Sequence, residues 1–529
     1  MKMIYNVKDK PKFTQLIVFA FQQLLAIMAA TIAVPMIVGN GMSTSAALFG
    51  AGIGTLVYVA FTKAKSPVFL GSSFAFLGSM AAAFAGGVSA ALGFLGLIIG
   101  AVLAGLVYVV IALIVKGAGV KWISKIMPAV VIGPIVAIIG LSLAGNAISD
   151  LNKVNYTKEV DVTNVTIRTI ETINDDGSIG TTNVALDKQG NVDPSITVNK
   201  AEDGTVSATT QPGSPYVAIV CGLVTLAVVM LCSVFGKKMS KLIPFIIGIL
   251  AGYACATLFY FIGKWTGNSS LMVIQYSAFT SLFKDVSFNS FIALPDFTFI
   301  KAFGAFDSIP EDFNIASYIG TIAVAYIPVA FVVFAEHIAD HKNLSSIIET
   351  DLLEDPGLDR TLLGDGVGSM AGAFFGGCPN TTYGESIGCV AITKNASVAS
   401  IVVAACEAIL ISFIAPFVAF LSTIPSCVMG GVCIALYGFI AVSGLKMLQK
   451  VDLDDNRNLF TASVILITGV GGFSLTFALG NGAITLTTVA CALILGILTN
   501  VMLGKGRMLD EEAPITEKGK GKGKKKAKK

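Results

Sequence analysis

Long apolar stretches joined by short polar connections run through most of this chain. No charged residue lies between Lys12 and Lys63, between Lys65 and Lys116, or between Asn458 and Lys505. A bilayer core takes ~20 apolar residues per helix, so the pattern predicts an all-α polytopic membrane protein. Spanning segments are predicted at 14–38, 45–62, 67–85, 89–115, 124–147, 215–235, 241–263, 315–340, 361–377, 381–394, 397–421, 425–446, 459–474 and 482–503. That is fourteen, and an even number places both termini on one side of the membrane.

Segments 3 and 10 make poor helices. Ser66-Pro-Val-Phe-Leu-Gly-Ser-Ser73-Phe74 and Cys378-Pro-Asn-Thr-Thr-Tyr383-Gly384-Glu385 each put Pro, Gly and β-branched or aromatic residues into an apolar stretch. Residues 150–214 differ in kind, with ten Asp or Glu against five Lys or Arg. The alternation Val160-Asp-Val-Thr-Asn-Val-Thr-Ile and the turn signals Asp176-Gly, Gln189-Gly and Asp203-Gly predict a small β-hairpin insertion. Residues 264–314 form a mixed polar and aromatic connection. From Lys518 to Lys529 the chain is lysine and glycine with one alanine, and this tail, 505–529, reads as disordered.

Composition agrees with the pattern: 54% of the 529 residues are hydrophobic and 13% charged, about half the charge of an average soluble chain. Lys63 and Lys65, Lys116, Lys237 and Lys241, Lys342, Lys394 and Lys446 fall on alternate connections, and the tail joins them. Positive residues stay on the inner side, so both termini are expected in the cytoplasm and the acidic insertion outside. The first apolar run exceeds a signal-peptide core and reads as a spanning helix. The nine cysteines include no C-x-x-C pair and read as small buried hydrophobes. The expected partners are a lipid bilayer and a small molecule, with no nucleic acid.

Two halves of the chain resemble each other. Met127-Pro-Ala-Val-Val-Ile-Gly-Pro in segment 5 matches Ile424-Pro-Ser-Cys-Val-Met-Gly-Gly in segment 12, seven spans later. An odd separation implies opposite orientation, hence a 7+7 inverted repeat. The broken segments 3 and 10 occupy corresponding places, which in transporters points to the binding site.

The candidate chemistry sits beside those breaks. Segment 8 ends an uncharged run, Phe313 to Ala335, with Glu336-His337-Ile338-Ala339-Asp340-His341, which holds both histidines of the protein. A charged group at membrane depth costs ~2.5–3.5 kcal/mol on insertion scales and is functional by default. Glu336 and Asp340, four apart, share one helix face, and His337 and His341 share a neighbouring one. The histidine spacing lacks the further ligands of a metal site, so no metal is expected. Asp340 and His341, at the end of the segment, are expected near water. Glu385 follows a glycine-rich break. Asp365 and Glu407 are further acids in segments 9 and 11. Burial and mutual repulsion favour the protonated form of a carboxyl group, so neighbouring buried acids suggest proton chemistry. Two such acids with backbone amides suit a planar ligand whose edge alternates N–H and C=O.

At these motifs the chain resembles the nucleobase–ascorbate transporter (nucleobase:cation symporter-2) family, and within it the bacterial uracil permeases. The residues that carry the resemblance are Gln22-Gln23, Ala30-Thr31 and Val34-Pro35; Leu70-Gly-Ser-Ser-Phe74; Phe334-Ala-Glu336-His337; Asp355-Pro-Gly-Leu; Pro379 to Lys394; and Val428-Met-Gly-Gly with Leu436-Tyr437-Gly. The match spans nearly the whole chain except the insertion and the tail.

The resemblance implies a core domain of segments 1–4 and 8–11 and a gate domain of segments 5–7 and 12–14. The chain then divides into 1–149 (core segments 1–4 and gate segment 5), the insertion 150–214, gate segments 215–263, an outer connection 264–314, core segments 315–421, gate segments 422–504 and the tail 505–529. It implies two short antiparallel strands in segments 3 and 10. Glu336 and Glu385 would hydrogen-bond the base, Phe74 and Gly384 would offer backbone N–H groups, and Ala30, Tyr383 and Tyr437 would line the pocket. Thr31, Ser73 and Ser386 would support it from behind. The implied activity is proton-coupled uptake of uracil across the cytoplasmic membrane by alternating access, not catalysis. It would need no cofactor beyond the coupling proton and would proceed in a homodimer joined through the gate.

Two positions depart from the family pattern. Uracil permeases often have His four residues after the glutamate, where this chain has Asp340 followed by His341. Ser386 stands where the family usually has Asn. Asp340 or His341 would then inherit proton coupling along with Glu336. Glu at 385, where purine and xanthine relatives generally have Gln, favours uracil; a xanthine or other purine permease of the same fold is the alternative.

Overall fold

The computed structural model describes residues 3–86, 89–119, 128–160, 166–173, 179–186, 192–200, 206–237, 239–310, 313–449, 451–479 and 482–503. The basic tail and the turn signals of the insertion lie outside the described residues. Helices α1 (Phe13–Val38) and α2 (Thr44–Phe61) are followed by strand β1 (Leu70–Ser72), α3 (Leu77–Ala85), α4 (Ala90–Ala118), α5 (Ala129–Ser142) and α6 (Ala144–Asn152). Next come strands β2 (Lys158–Val160), β3 (Thr166–Ile173), β4 (Ile179–Leu186), β5 (Val192–Lys200) and β6 (Val206–Thr210), then α7 (Pro215–Phe235) and α8 (Pro244–Thr266). After a connection of short helices the chain forms α9 (Ile315–Ile348), α10 (Leu358–Gly376), β7 (Asn380–Thr382), α11 (Gly384–Thr393), α12 (Val398–Ile411) and α13 (Ala415–Thr423). It closes with α14 (Ser426–Leu448), α15 (Asn456–Val470), β8 (Leu475–Leu479), β9 (Gly482–Leu486) and α16 (Thr488–Leu503). Among the described residues eight helical stretches, α5–α6 counted as one, are long and apolar enough to cross a membrane. The chain is a multi-pass membrane protein.

The helices pack in two groups. One gathers α1, α2, α4, α9, α10 and α12, and the other gathers α5, α7, α8, α14, α15 and α16. The first group is tight because glycines face each other across it. A Cβ on Gly50 of α2 would stand 2.4 Å from the Gly372 carbonyl oxygen of α10. Small residues at such crossings let backbones approach where lipid supplies no hydrophobic drive.

Four features differ from the sequence reading. Helix α9 runs on to Ile348 rather than ending at 340, because Leu344 and Ile348 bury in a satellite apolar cluster with Tyr58, Leu70 and Ile387. His341 is therefore fully buried and not near water. Segment 11 is two helices, α12 and α13; Pro416 sits in the first turn of α13, where its missing N–H is harmless, and the chain breaks before it. The start of segment 14 is not helical. Residues 475–479 and 482–486 form the antiparallel pair β8–β9, in keeping with their β-branched content and with the Asn481-Gly482 signal in the sequence. The insertion is larger than one hairpin: its strands make a five-stranded antiparallel sheet in the order β2-β6-β5-β4-β3.

Candidate functional site

The two broken segments meet at one place. Strands β1 and β7 pair antiparallel, with Leu70 opposite Thr382, Gly71 opposite Thr381 and Ser72 opposite Asn380. The Ser73 amide extends the ladder by donating to the Pro379 carbonyl at 2.9 Å. All six strand residues are buried, so the extended backbone is enclosed by protein, as it must be at membrane depth. Beyond each strand a helix begins: a tight turn at Phe74 leads into α3, and α11 starts at Gly384. The first N–H groups of a helix lack intrahelical acceptors and carry the positive end of its dipole. Phe74 and Gly384 thus present amide donors on either side of the strand pair.

The space beside Gly384 is open. The residue is exposed, and a Cβ built on it would meet nothing within 4 Å. Glu385, next in α11, is part-exposed, as are Glu336 and Asp340 on α9. Glu336 lies within electrostatic reach of Glu385 and Asp365, and Asp340 within reach of all three. The structure therefore gathers carboxylates from α9, α10 and α11. Asp340 is held from the strand side, where the Thr382 hydroxyl donates to its Oδ2 at 2.8 Å.

The remaining predicted residues frame this cluster. The Tyr383 hydroxyl donates to the Ser72 carbonyl at 2.6 Å, which lays its ring over Gly71. Phe74 meets Tyr437 of α14 edge to face, with centroids 6.0 Å apart, so an aromatic contact from the second helix group bounds the site. Ala30 and Thr31 are buried in α1 near its middle, and the Thr31 hydroxyl is spent on the Ile27 carbonyl at 2.9 Å. Ser386 is buried behind Glu385; its Oγ accepts from the Phe69 amide at 3.0 Å and from the Gln23 side-chain amide. This one short side chain ties α1, the entry to β1 and α11 together. Ser73 is buried beside Phe74.

His341 is not brought to the carboxylates. It points from a different face of α9 than Glu336, with Nε2 2.7 Å from the Tyr58 hydroxyl. His337 shares that side, with Nδ1 2.7 Å from Asp365 Oδ2 and Nε2 3.0 Å from Thr361 Oγ1. Sequence reasoning named Asp365 without finding its histidine. The signal available was weak: a lone acid inside an apolar helix, with both histidines one face away from Glu336. Glu407 on α12 is half-buried, and its Oε2 has no hydrogen-bond partner among the described residues.

Comparison with known proteins follows the same lines. The family model Xan_ur_permease, described as a permease family, matches residues 14–172 and 196–477. The chain is 35% identical over 505 residues to the uracil permease of Bacillus caldolyticus, covering 95% of each chain. It is 34% identical over 520 residues to that of Bacillus subtilis strain 168, covering 98% of each. It is 32% identical over 523 residues to that of Escherichia coli K12, covering 97% of this chain and 99% of the relative. Among solved structures, the transmembrane domain of the cyanobacterial bicarbonate transporter BicA superposes with a TM-score of 0.53 at 14% identity, covering 95% of this chain and 100% of that one. The overall structure of SLC26A9 gives 0.56 at 10% identity, covering 94% and 66%. At such identities these two speak for the fold alone. Paired broken segments, clustered carboxylates and full-length relatives agree: the chain belongs to the nucleobase–ascorbate transporter family and is a permease, not an enzyme.

Proposed function

We propose that this protein takes up uracil together with a proton across the cytoplasmic membrane. The observation that carries the reading is the pair Glu336 and Glu385 beside the open space at Gly384. Uracil offers a planar edge of alternating N–H and C=O groups. Two carboxyl groups and two helix-start amides match that edge, and Phe74 and Tyr437 supply apolar surface for its faces. Glu336 is the substrate ligand that also carries the proton, and Asp340, on the same helix face, is its coupling partner.

The chain has fourteen segments in a 7+7 inverted repeat, with both termini in the cytoplasm; the lysines on alternate connections and the motif shared by segments 5 and 12 support this. The group of α1, α2, α4 and α9–α12 is the core, the group of α5, α7, α8 and α14–α16 is the gate, and movement of core against gate alternates access. The gate also joins two copies in a homodimer. A nucleobase panel tests the substrate. Unlabelled uracil at excess should abolish uptake of labelled uracil, with xanthine and other purines ineffective. Uptake of labelled xanthine that excess uracil fails to reduce would replace the reading by a purine permease.

A further inference from the structure

The segment ahead of α1, residues 3–9, has no part in the site described above, yet it is tied down along its length. It runs beside the turn that joins α11 to α12 and pairs with it in parallel, Tyr5 opposite Asn395. The Ile4 and Tyr5 amides both donate to the Lys394 carbonyl, at 2.8 and 3.3 Å. The Ala396 amide donates to the Tyr5 carbonyl at 2.9 Å, and the Val398 amide to the Val7 carbonyl at 3.2 Å. The Ser397 hydroxyl donates to the Asp9 carbonyl at 2.5 Å. Lys394, which follows α11, has a φ of +56°, a left-handed conformation that side chains rarely adopt. Main-chain pairing of this kind holds one segment of chain on another, and here it holds a turn whose backbone does not favour its own shape.

Side chains reinforce the pairing. Met3 and Val7 pack on the apolar cluster that contains Leu70 of β1, Leu344 of α9, and Ile387 and Val390 of α11, so the segment covers the junction of three elements that carry the site. The Tyr5 hydroxyl donates to Gln15 Oε1 at 2.7 Å, and its ring meets Phe19 edge to face at 5.9 Å, which fixes the segment to α1 as well. Helix α11 needs such a hold. It has ten residues, and helices shorter than about 12–15 residues are marginal on their own. Gly384 and Glu385 stand in its first turn, which β7 fixes; residues 3–9 fix its far end. Helix α3, which begins beside the other strand, is also held at its far end by a remote element. The Tyr318 hydroxyl of α9 is shared between the Ala83 and Leu92 carbonyls, at 2.9 and 3.0 Å, and Ser79 of α3 donates to the Ala325 carbonyl of α9 at 2.7 Å.

We propose that residues 3–9 are a clamp that positions α11 and, through it, the Gly384 amide and the Glu385 carboxyl group for substrate. The clamp touches no substrate itself. It acts on the end of α11 opposite the site, about 15 Å away at 1.5 Å per residue, and a rigid helix carries a shift at that end to Glu385. Loosening the clamp therefore weakens binding before it unfolds anything.

This inference rests on the uracil reading, and the test separates the two. Ile4→Pro removes the amide that donates to Lys394, and the Ile4 side chain is 62% exposed, so little packing goes with it. Val7→Asp sets a charge against the apolar cluster, and Ile4→Ala keeps the amide. Uracil uptake by cells, normalised to the protein in the membrane, should show KM raised about tenfold in Ile4→Pro and Val7→Asp, the scale of one hydrogen bond to a charged group. The maximal rate per molecule should hold, the pattern of lost binding, and Ile4→Ala should match wild type. In the purified full-length chain, hydrogen exchange followed by mass spectrometry should be faster over residues 384–398 in both variants and unchanged in α4. Wild-type KM in both variants would overturn the proposal, including the case where only the amount of protein falls, which would reduce the clamp to scaffold. Raised KM with wild-type exchange over 384–398 would overturn it too. Exchange needs no substrate. A wild type that takes up no uracil would overturn the proposed function, and exchange alone would then judge the clamp: faster exchange over 384–398 supports it, and wild-type exchange overturns it.

Discussion

Replacing Glu385 or Glu336 by alanine should lower uracil uptake at least about a hundredfold with the protein still in the membrane. Hydrogen bonds to charged groups are worth ~1.5–3 kcal/mol each, and each carboxyl group can make two to a base edge. The loss of ~3 kcal/mol or more is about two powers of ten in affinity. Neither side chain holds the fold. Both are part-exposed to the open space and neither is pinned in the core, unlike the fully buried His337 behind them. Immunoblots of membrane fractions alongside labelled-uracil uptake separate loss of function from loss of protein. Uptake within about threefold of wild type in both variants, less than 1 kcal/mol, would sink the site assignment.

A Gly71→Val substitution should abolish uptake and also lower thermal stability in detergent by several degrees. A Cβ at Gly71 would stand 2.3 Å from the Tyr383 ring. The ring cannot swing away cheaply, because its hydroxyl is fixed on the Ser72 carbonyl. Overpacking of this kind costs ~1–3 kcal/mol, and relief would come by parting β1 from β7. The strand pair positions Gly384 and Glu385, so the site would be lost with it. Gly384→Ala makes the contrasting case. Its Cβ enters open space, so the melting temperature should hold while uracil binding weakens. Equal melting temperatures for Gly71→Val and wild type would contradict this packing account.

The helices were legible in the sequence because apolar length alone specifies them, and the predicted segment 215–235 coincides with α7. What sequence reading missed depended on partners remote in the chain. The length of α9 is set by burial of Leu344 and Ile348 against residues of α2 and α11. The β8–β9 pair carried a local signal in Asn481-Gly482, overridden by the apolar run around it. Glu336 and Glu385 stood out because charge is rare at membrane depth. Helical spacing puts the histidines on the face next to that of Glu336. Their bonds to Asp365 and Tyr58, from two other helices, have no signature at any fixed spacing.

The central claim is that the carboxylates couple uracil to protons. Uptake of radiolabelled uracil by cells expressing the wild-type chain, with and without a proton ionophore, tests it most directly. The account predicts accumulation above the external concentration that collapses on adding the ionophore and is absent in Glu336→Ala. Accumulation unchanged by the ionophore would contradict it.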